Sequence, residues 1–267
     1  MSDFEFIRTY GFLTFYLLTV SIFLQNLTTR RSSSLESIMS DIMVGQLQVI
    51  LKCFQLGSLE DLQDTMKQSG AIISGSTALL LLHPGRFLPN DIDFYVMPPG
   101  YHVLLVYLQR CGYQIERHHT SHYPSLRQIR SVHFLHSEES FQCINIIVCE
   151  GPHALSTISH FHSTLVMNYI SYYGVVCLYP MWTMLNFGFI NRDNDVTTDH
   201  CLSKYIRRGF KFSRTLGRGQ KTLNPPSTHS KNAVRNLHDE DVLFIPFNSL
   251  ANDIRKFDNA VSWKLCR

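Results

Sequence analysis

Residues 71 to 96 read AIISGSTALLLLHPGRFLPNDIDFYV, and this stretch decides the fold. It predicts an apolar strand that ends at Gly75-Ser76, a short apolar helix, a loop, and a second apolar strand containing Asp91 and Asp93. Residues two apart on a strand point to the same face, so the two carboxylates lie side by side. Neighbouring carboxylates repel each other when they are removed from water. Mg²⁺ relieves that repulsion and binds one or two carboxylates together with substrate phosphates. The sequence therefore predicts Asp91 and Asp93 as Mg²⁺ ligands.

A Gly-Ser turn, a helix and an Asp-apolar-Asp strand together resemble the nucleotidyltransferase superfamily of the DNA polymerase β type, over about residues 70 to 150. The resemblance implies that Gly75 and Ser76 hold the triphosphate of a nucleoside triphosphate. It also implies that Asp91 and Asp93 bind metal ions and that a third carboxylate lies on a later strand. The spacer between Ser76 and Asp91 is longer than is usual in the family, and its Pro and Gly residues predict a loop.

An uncharged residue stands where the resemblance calls for the third carboxylate. The apolar run Phe141 to Cys149 (FQCINIIVC) predicts the later strand, and Asn145 occupies the position of the acid. Asn offers an oxygen to a metal, but it brings no charge and cannot act as a base. Glu150 follows the same run, but strand alternation turns it to the face opposite Asn145. With Asp91, Asp93 and Asn145 as the catalytic positions, we expect nucleotide binding with Mg²⁺ and a transfer activity that is reduced or lost.

Two other functions are compatible with the same chain. One is an active nucleotidyltransferase, in which an unknown acceptor hydroxyl attacks the α-phosphate of the nucleotide and releases pyrophosphate. The other is a membrane-tethered interaction protein, which depends on the N-terminal segment. The stretch Gly11 to Leu24 (GFLTFYLLTVSIFL) is uncharged, whereas a spanning helix needs roughly 20 apolar residues. We expect a cytoplasmic domain, with residues 9–29 either anchoring it to a membrane or packing as an apolar segment. The remaining alternatives for these residues are a signal sequence and a wrongly predicted first exon.

Composition and periodicity divide the chain into three parts. Residues 1–34 form the apolar segment and a linker, residues 35–212 a nucleotidyltransferase-like domain, and residues 213–267 a basic, largely irregular tail. The expected fold class is α+β: a mixed sheet with packed helices and a C-terminal helical extension. Within it, the strands 131–136 and 141–149 form a hairpin, and the segments 163–172 and 197–208 are helices.

The overall charge is too small to require a polyanionic partner. The formal net charge is +3, and 45% of the residues are hydrophobic against 17% charged, which indicates a packed core. Basic residues concentrate between Lys204 and Lys221, where Lys204, Arg207, Arg208 and Lys211 have the spacing of one helix face. This segment could contact nucleic acid, the phosphates of a nucleotide, or only solvent. The seven cysteines form no Cys-x-x-Cys pair, so we expect buried free thiols in a reducing compartment.

The remaining motifs add little about function. The histidines 118, 119, 122, 133 and 136 are expected in exposed loops, with zinc binding as the alternative. No Walker loop, nucleophile elbow or His-Glu-x-x-His motif occurs. The run FHSTLVMNYI and the Lys-Tyr-x-x-Arg-Gly-Phe segment at 204–210 resemble fungal nucleotidyltransferase-like proteins of uncharacterised activity. That resemblance implies the same fold.

Overall fold

The computed structural model describes residues 33–120, 128–138, 140–191, 196–214, 234–237, 239, 241–247 and 261–265. The helices are α1 (Ser33–Cys53), α2 (Leu59–Ser69), α3 (Ser76–Leu82), α4 (Tyr101–Arg110), α5 (Ala154–Ile158), α6 (Pro180–Met184) and α7 (Val196–Arg207). The strands are β1 (Ile72–Ser74), β2 (Asp91–Val96), β3 (Gln114–Thr120), β4 (Ile129–Ser137), β5 (Ser140–Cys149), β6 (Asn168–Ser171), β7 (Gly174–Cys177), β8 (Phe187–Phe189), β9 (Lys211–Ser213), β10 (Arg235–Asn236), β11 (Leu243–Pro246) and β12 (Ser262–Trp263). Short 3-10 helices cover Pro98–Gly100 and Thr164–Val166.

An eight-stranded sheet in the order β11-β7-β6-β1-β2-β5-β4-β3 forms the centre of the protein. β2 and β5 run parallel, and the other neighbours in this sheet are antiparallel. The expected hairpin between 131–136 and 141–149 is present as β4 and β5. The α+β prediction, a mixed sheet with packed helices, is therefore confirmed.

The first helices form where the sequence signals place them. Ser58 lies just before α2, and its Oγ accepts a hydrogen bond from the Asp61 amide at 3.1 Å. Gly70 ends the helix with a φ of 66°, a conformation that glycine adopts without steric cost. Helix α1 buries an apolar stripe that includes Met39, Met43 and Leu47. Together with α2 and α4, this stripe covers one face of the central sheet.

The other face of the sheet is covered over only part of its width. Tyr95, Ile147 and Cys149 pack there with α5 and with residues near the C-terminus. These residues lie toward the C-terminal ends of β2 and β5. The N-terminal ends of the same two strands carry polar residues instead, and the candidate site lies there.

One predicted helix is wrong. Residues 163–172 form a 3-10 turn at Thr164–Val166 followed by strand β6, which pairs with both β1 and β7. β-branched and aromatic residues fit a pleated sheet, and pairing on both edges outweighs the helical spacing. Asn168 fixes the turn, because its Nδ2 donates to the Leu165 carbonyl at 2.7 Å. The helix predicted at 197–208 is confirmed as α7.

Other expectations about the chain have mixed outcomes. Of the cysteines in the described residues, Cys149 and Cys177 are buried, as expected, but Cys53 and Cys143 are exposed. The apolar residues 9–29 lie outside the described residues. None of the described helices has the length and apolarity needed to cross a membrane.

Candidate functional site

Strand β2 brings the two aspartates next to the Gly-Ser turn. Its neighbours are β1 on one side and β5 on the other, and Asp93 pairs with both Ser74 and Asn145. Asp91 and Asp93 are partly exposed on the same face, whereas Ile92 between them is fully buried on the other. The structure thus brings together the predicted site residues on three adjacent elements.

Asn145 bridges the two carboxylates. Its Nδ2 donates to Asp93 Oδ1 at 2.8 Å and, more weakly, to Asp91 Oδ2 at 3.4 Å. The amide therefore places partial positive charge between two groups that would otherwise only repel each other. It occupies the strand position from which the third carboxylate was expected to point.

Two buried oxygens at this site have no hydrogen-bond partner in the part of the chain that the structure describes. They are Asp91 Oδ1 and the carbonyl oxygen of Asn145, Oδ1. Buried polar atoms are nearly always paired, so unpaired ones at a cluster of acids indicate a site for a cation or a ligand. Carboxylate and amide oxygens are the donors that Mg²⁺ prefers, and this donor set fits the ion.

The electrostatics of the pair are unfavourable without a cation. The pKa of Asp93 is raised to about 7, mainly by burial and next by the neighbouring Asp91 carboxylate, although the Asn145 amide and the Lys204 ammonium oppose this rise. The folded protein therefore binds a proton at Asp93 more tightly than the unfolded chain does. A bound cation would remove that preference by stabilising the ionised form.

Gly75 is needed for the turn that lies against Asp93. Its backbone has φ 73° and ψ −138°, a region that is costly for residues with a side chain. A Cβ atom at this position would lie 2.9 Å from Asp93 Oδ2. Ser76 then begins α3 as predicted, and Thr77 Oγ1 donates to the Asp91 carbonyl at 3.1 Å. The turn and the aspartate strand are thus held in contact.

The long spacer after α3 has a structural role that its sequence did not reveal. Arg86 in this loop donates from Nε to the Arg208 carbonyl at 2.9 Å and from Nη2 to the Gly209 carbonyl at 3.0 Å. It also donates to Asn186 and lies 4.4 Å from the ring centroid of Phe210. Arg86 therefore holds the C-terminal end of α7 against the Gly-Ser unit.

Two of the four basic residues predicted to share a face of α7, Lys204 and Arg208, act on the aspartates. Burial raises the pKa of Asp93 and lowers the pKa of the Arg208 guanidinium; the Lys204 ammonium opposes the first shift and the Asp91 carboxylate opposes the second. Arg208 lies 4.0 Å from the Phe87 ring centroid, and its Nη1 is buried without a partner. The prediction that Arg207 and Lys211 share this face is wrong: Arg207 is exposed, and the chain leaves the helix before Lys211, which lies on β9.

Within the described residues, no third carboxylate joins the pair. No group of three or more His, Cys, Asp or Glu side chains that could hold a metal ion occurs there. Glu150 is exposed beyond the C-terminal end of β5, whereas Asn145 lies in the middle of that strand. The distance along the strand is roughly 16 Å at 3.3 Å per residue, so Glu150 cannot replace the missing acid.

The histidines do not form a zinc site in the described part of the chain. His118, His119, His133 and His136 lie on β3 and β4 rather than in a loop, and His122 is outside the described residues. His133 contacts the Tyr101 hydroxyl at 3.2 Å and Ser131 Oγ at 3.0 Å. The ring is thus engaged on both nitrogens.

No protein-family model and no curated protein matches the chain. Among solved structures, it is similar to a tRNA-processing enzyme (apo form I), with a TM-score of 0.41 and 14% sequence identity. The similarity covers 73% of this chain and 46% of that enzyme, so the chain spans about half the length of its neighbour. Likeness this distant carries no argument about function, and the function must be inferred from the site itself.

Proposed function

We propose that the protein binds a nucleoside triphosphate together with Mg²⁺ and transfers the nucleotide slowly or not at all. The observation that carries this proposal is the close approach of the Asp93 carboxylate to Gly75, beside Asp91, with oxygens of Asp91 and Asn145 that have no partner among the described residues. A Gly-Ser turn followed by an Asp-x-Asp strand resembles nucleotidyltransferases of the DNA polymerase β type. Asp91, Asp93 and the Asn145 oxygen would hold the ion, and Gly75 and Ser76 would contact the phosphates.

The cations of α7 support the same ligand. A triphosphate carries several negative charges that two carboxylates alone would repel. Lys204 and Arg208 act electrostatically on the Asp pair, and Arg208 Nη1 has no hydrogen-bond partner among the described residues. Guanidinium groups form bidentate hydrogen bonds with phosphate. These two side chains therefore offer the counter-charge for the phosphate tail.

Asn145 is the reason that we expect little transfer. Bound Mg²⁺ stabilises negative charge on the phosphates and on the leaving group. An attacking hydroxyl must also lose its proton, and an amide cannot accept it. Asn145 contributes an oxygen but neither charge nor basicity, and Glu150 is at the far end of β5. The residues present thus support ground-state binding better than catalysis.

Equilibrium binding of a fluorescent nucleoside triphosphate, with and without Mg²⁺, tests the proposal. We expect binding that depends on Mg²⁺ and is abolished in Asp91→Asn, because a single carboxylate then remains. Asp64→Asn is the matched control, since Asp64 is exposed on α2 and makes the same charge change away from the site. Absence of Mg²⁺-dependent binding for all four nucleotides would refute the proposal, as would unchanged binding in Asp91→Asn.

A transfer assay separates a binding protein from an active enzyme. Labelled nucleoside triphosphate is incubated with a panel of hydroxyl acceptors, and pyrophosphate release is followed in a single turnover. We expect the wild type to be slow or inactive and Asn145→Asp to be faster, because the third ligand and base are restored. Rapid pyrophosphate release by the wild type would instead establish the active nucleotidyltransferase.

A further inference from the structure

The sheet face that carries the Asp pair continues across two more strands. Asp93 pairs with Asn145 on β5, Asn145 with Phe134 on β4, and Phe134 with Arg117 on β3. Residues directly paired on neighbouring strands point to the same face. These four side chains therefore form one row across the sheet. At roughly 4.8 Å per strand, the backbone of Phe134 lies about 10 Å from that of Asp93.

The outer half of this row is a flat aromatic and basic surface. The guanidinium carbon of Arg117 lies 4.4 Å from the centroid of the Phe134 ring. The His119 ring meets the same phenyl ring edge-on, with centroids 5.7 Å apart. Arg117 and His119 are exposed and Phe134 is half-buried. We call Arg117, His119 and Phe134 the platform.

In the described part of the chain, the platform is partly covered at Phe134, which packs against the apolar cluster that contains Val132 and Ile147. Arg117 and His119 are exposed. They lie on β3, the edge strand of the sheet, which packs closely only against β4. Glu116, the acid that precedes Arg117 in sequence, lines a different cavity together with Arg110 and Gly112. The exposed charge at the platform is therefore positive.

We infer that the platform binds single-stranded nucleic acid and directs one of its ends toward the Asp pair. Unpaired bases stack on aromatic rings and on guanidinium planes, and the phosphates between them pair with Arg. Lys204 and Arg208 extend the positive charge beyond the aspartates. The placement of the strand end beside Asp93 rests on the proposed nucleotide-binding function. Binding to the platform itself does not.

Fluorescence anisotropy with labelled oligonucleotides of about 12 nucleotides, in RNA and DNA versions, tests this inference on the full chain. Phe134→Leu keeps an apolar side chain but removes the stacking surface, and we expect the dissociation constant to rise about tenfold. Arg117→Ala weakens binding and lowers the slope of log K against log salt by about 0.7, the value for one lost phosphate contact on a single strand. Arg110→Ala is the matched control, since it removes an exposed arginine on α4, the helix that packs on the other face of the sheet.

The outcomes of this experiment test nucleic-acid binding by the platform separately from nucleotide binding at the Asp pair. Preference for single strands over a duplex of the same sequence, lost in Phe134→Leu but kept in Arg110→Ala, supports the platform. If RNA binds more tightly than DNA, the platform binds single strands and also contacts the 2′-hydroxyl groups. If RNA and DNA bind equally, the platform contacts the bases and phosphates alone. Equal affinity for duplex, or no effect of Phe134→Leu, overturns it. Mg²⁺-dependent nucleotide binding is measured separately on the same variants. If the platform does not bind oligonucleotides, the result for nucleotide binding is unaffected. If the protein does not bind nucleotide, the result for the platform is unaffected.

Discussion

Replacing Asn145 by Asp should make the stability of the protein depend on Mg²⁺. In the wild type, the Asn145 amide donates to both Asp93 and Asp91, at 2.8 and 3.4 Å. Asn145→Asp removes both donors and introduces a third carboxylate at nearly the same place. The folded state without metal then contains three mutually repelling acids, whereas the unfolded chain separates them in water.

The size of the effect follows from two contributions. A hydrogen bond to a charged group contributes about 1.5–3 kcal/mol, and only the shorter bond, to Asp93, has good geometry. Two like charges 4 Å apart repel by about 4 kcal/mol at an effective dielectric constant of 20. The pKa of Asp93 is about 7 in the wild type. In Asn145→Asp it rises further, because the amide that lowers it is replaced by a carboxylate, and at pH 8 the repulsion acts on the fraction of molecules in which Asp93 stays ionised. Proton uptake and solvent relieve part of it, so we expect a loss of about 3 kcal/mol without metal. Mg²⁺ at a concentration 100 times its dissociation constant should then raise the free energy of unfolding by about 2.7 kcal/mol.

Urea denaturation at pH 8, followed by the fluorescence of the two tryptophans, measures this directly, since Trp182 and Trp263 are buried. The experiment compares EDTA with saturating Mg²⁺ for the wild type, Asn145→Asp and Gln68→Glu. The last variant is the control, because it turns an exposed amide on α2 into an acid away from the site. If Asn145→Asp is as stable as the wild type in EDTA, or gains no more from Mg²⁺ than the control does, the electrostatic account of the site is wrong.

Three further changes test other parts of the structure. Gly75→Ala places a Cβ 2.9 Å from Asp93 Oδ2 at a positive φ; we expect a loss of about 2–4 kcal/mol in urea denaturation and weaker Mg²⁺-dependent nucleotide binding by the folded fraction. Arg86→Ala removes the donors that hold the end of α7; it should cost about 2–3 kcal/mol and speed hydrogen exchange of the α7 amides, measured by mass spectrometry. Burial lowers the pKa of His83 to about 3, so stability present above pH 6.5 is lost as the pH falls toward 3. Between pH 7 and 5 the wild type should lose about 2 kcal/mol relative to His83→Asn.

For each of these three changes, a control or a specific result would contradict the structural reasoning. Gly70→Ala, at a positive φ but with open space around its Cβ, serves as the control for backbone strain alone, and it should leave nucleotide binding intact. Unchanged hydrogen exchange of α7 in Arg86→Ala would exclude the loop as its support. A constant difference between wild type and His83→Asn across pH 7 to 5 would mean that His83 is not buried in its neutral form.

The central motif could be predicted because its signals are local. The apolar strand, the Gly-Ser turn and the alternation of Asp91 and Asp93 are contained within one short stretch, and strand periodicity alone fixes which side chains share a face. The apolar run of β5 predicts the strand that carries Asn145, and the resemblance to nucleotidyltransferases implies that Asn145 lies beside the aspartates.

The features that were missed depend on contacts between distant segments. The helix predicted at 163–172 is a strand because β1 and β7 offer it hydrogen bonds on both edges, and nothing within the segment records those partners. The sequence around Arg86 predicts only a loop, whereas its side chain donates hydrogen bonds to carbonyls at the end of α7, more than a hundred positions later. The platform was missed because the histidine-rich stretch was read as a loop, which hid the alternation that places Arg117 beside Phe134.

Asn145 accounts for two properties of the site at once. A buried pair of carboxylates needs positive charge between them, and most such pairs depend on a metal ion for it. Here the amide nitrogen of Asn145 supplies part of that charge within the chain itself. A metal that enters must therefore compete with these hydrogen bonds, and the amide has to turn its unpartnered oxygen toward the ion to become a ligand. Under the proposed function, the residue that stabilises the metal-free site would therefore weaken binding of the ion, and it supplies no base. Tight Mg²⁺ binding in the wild type, without nucleotide present, is the one result that this reasoning does not allow, because only the phosphates of the nucleotide make up for the missing acid.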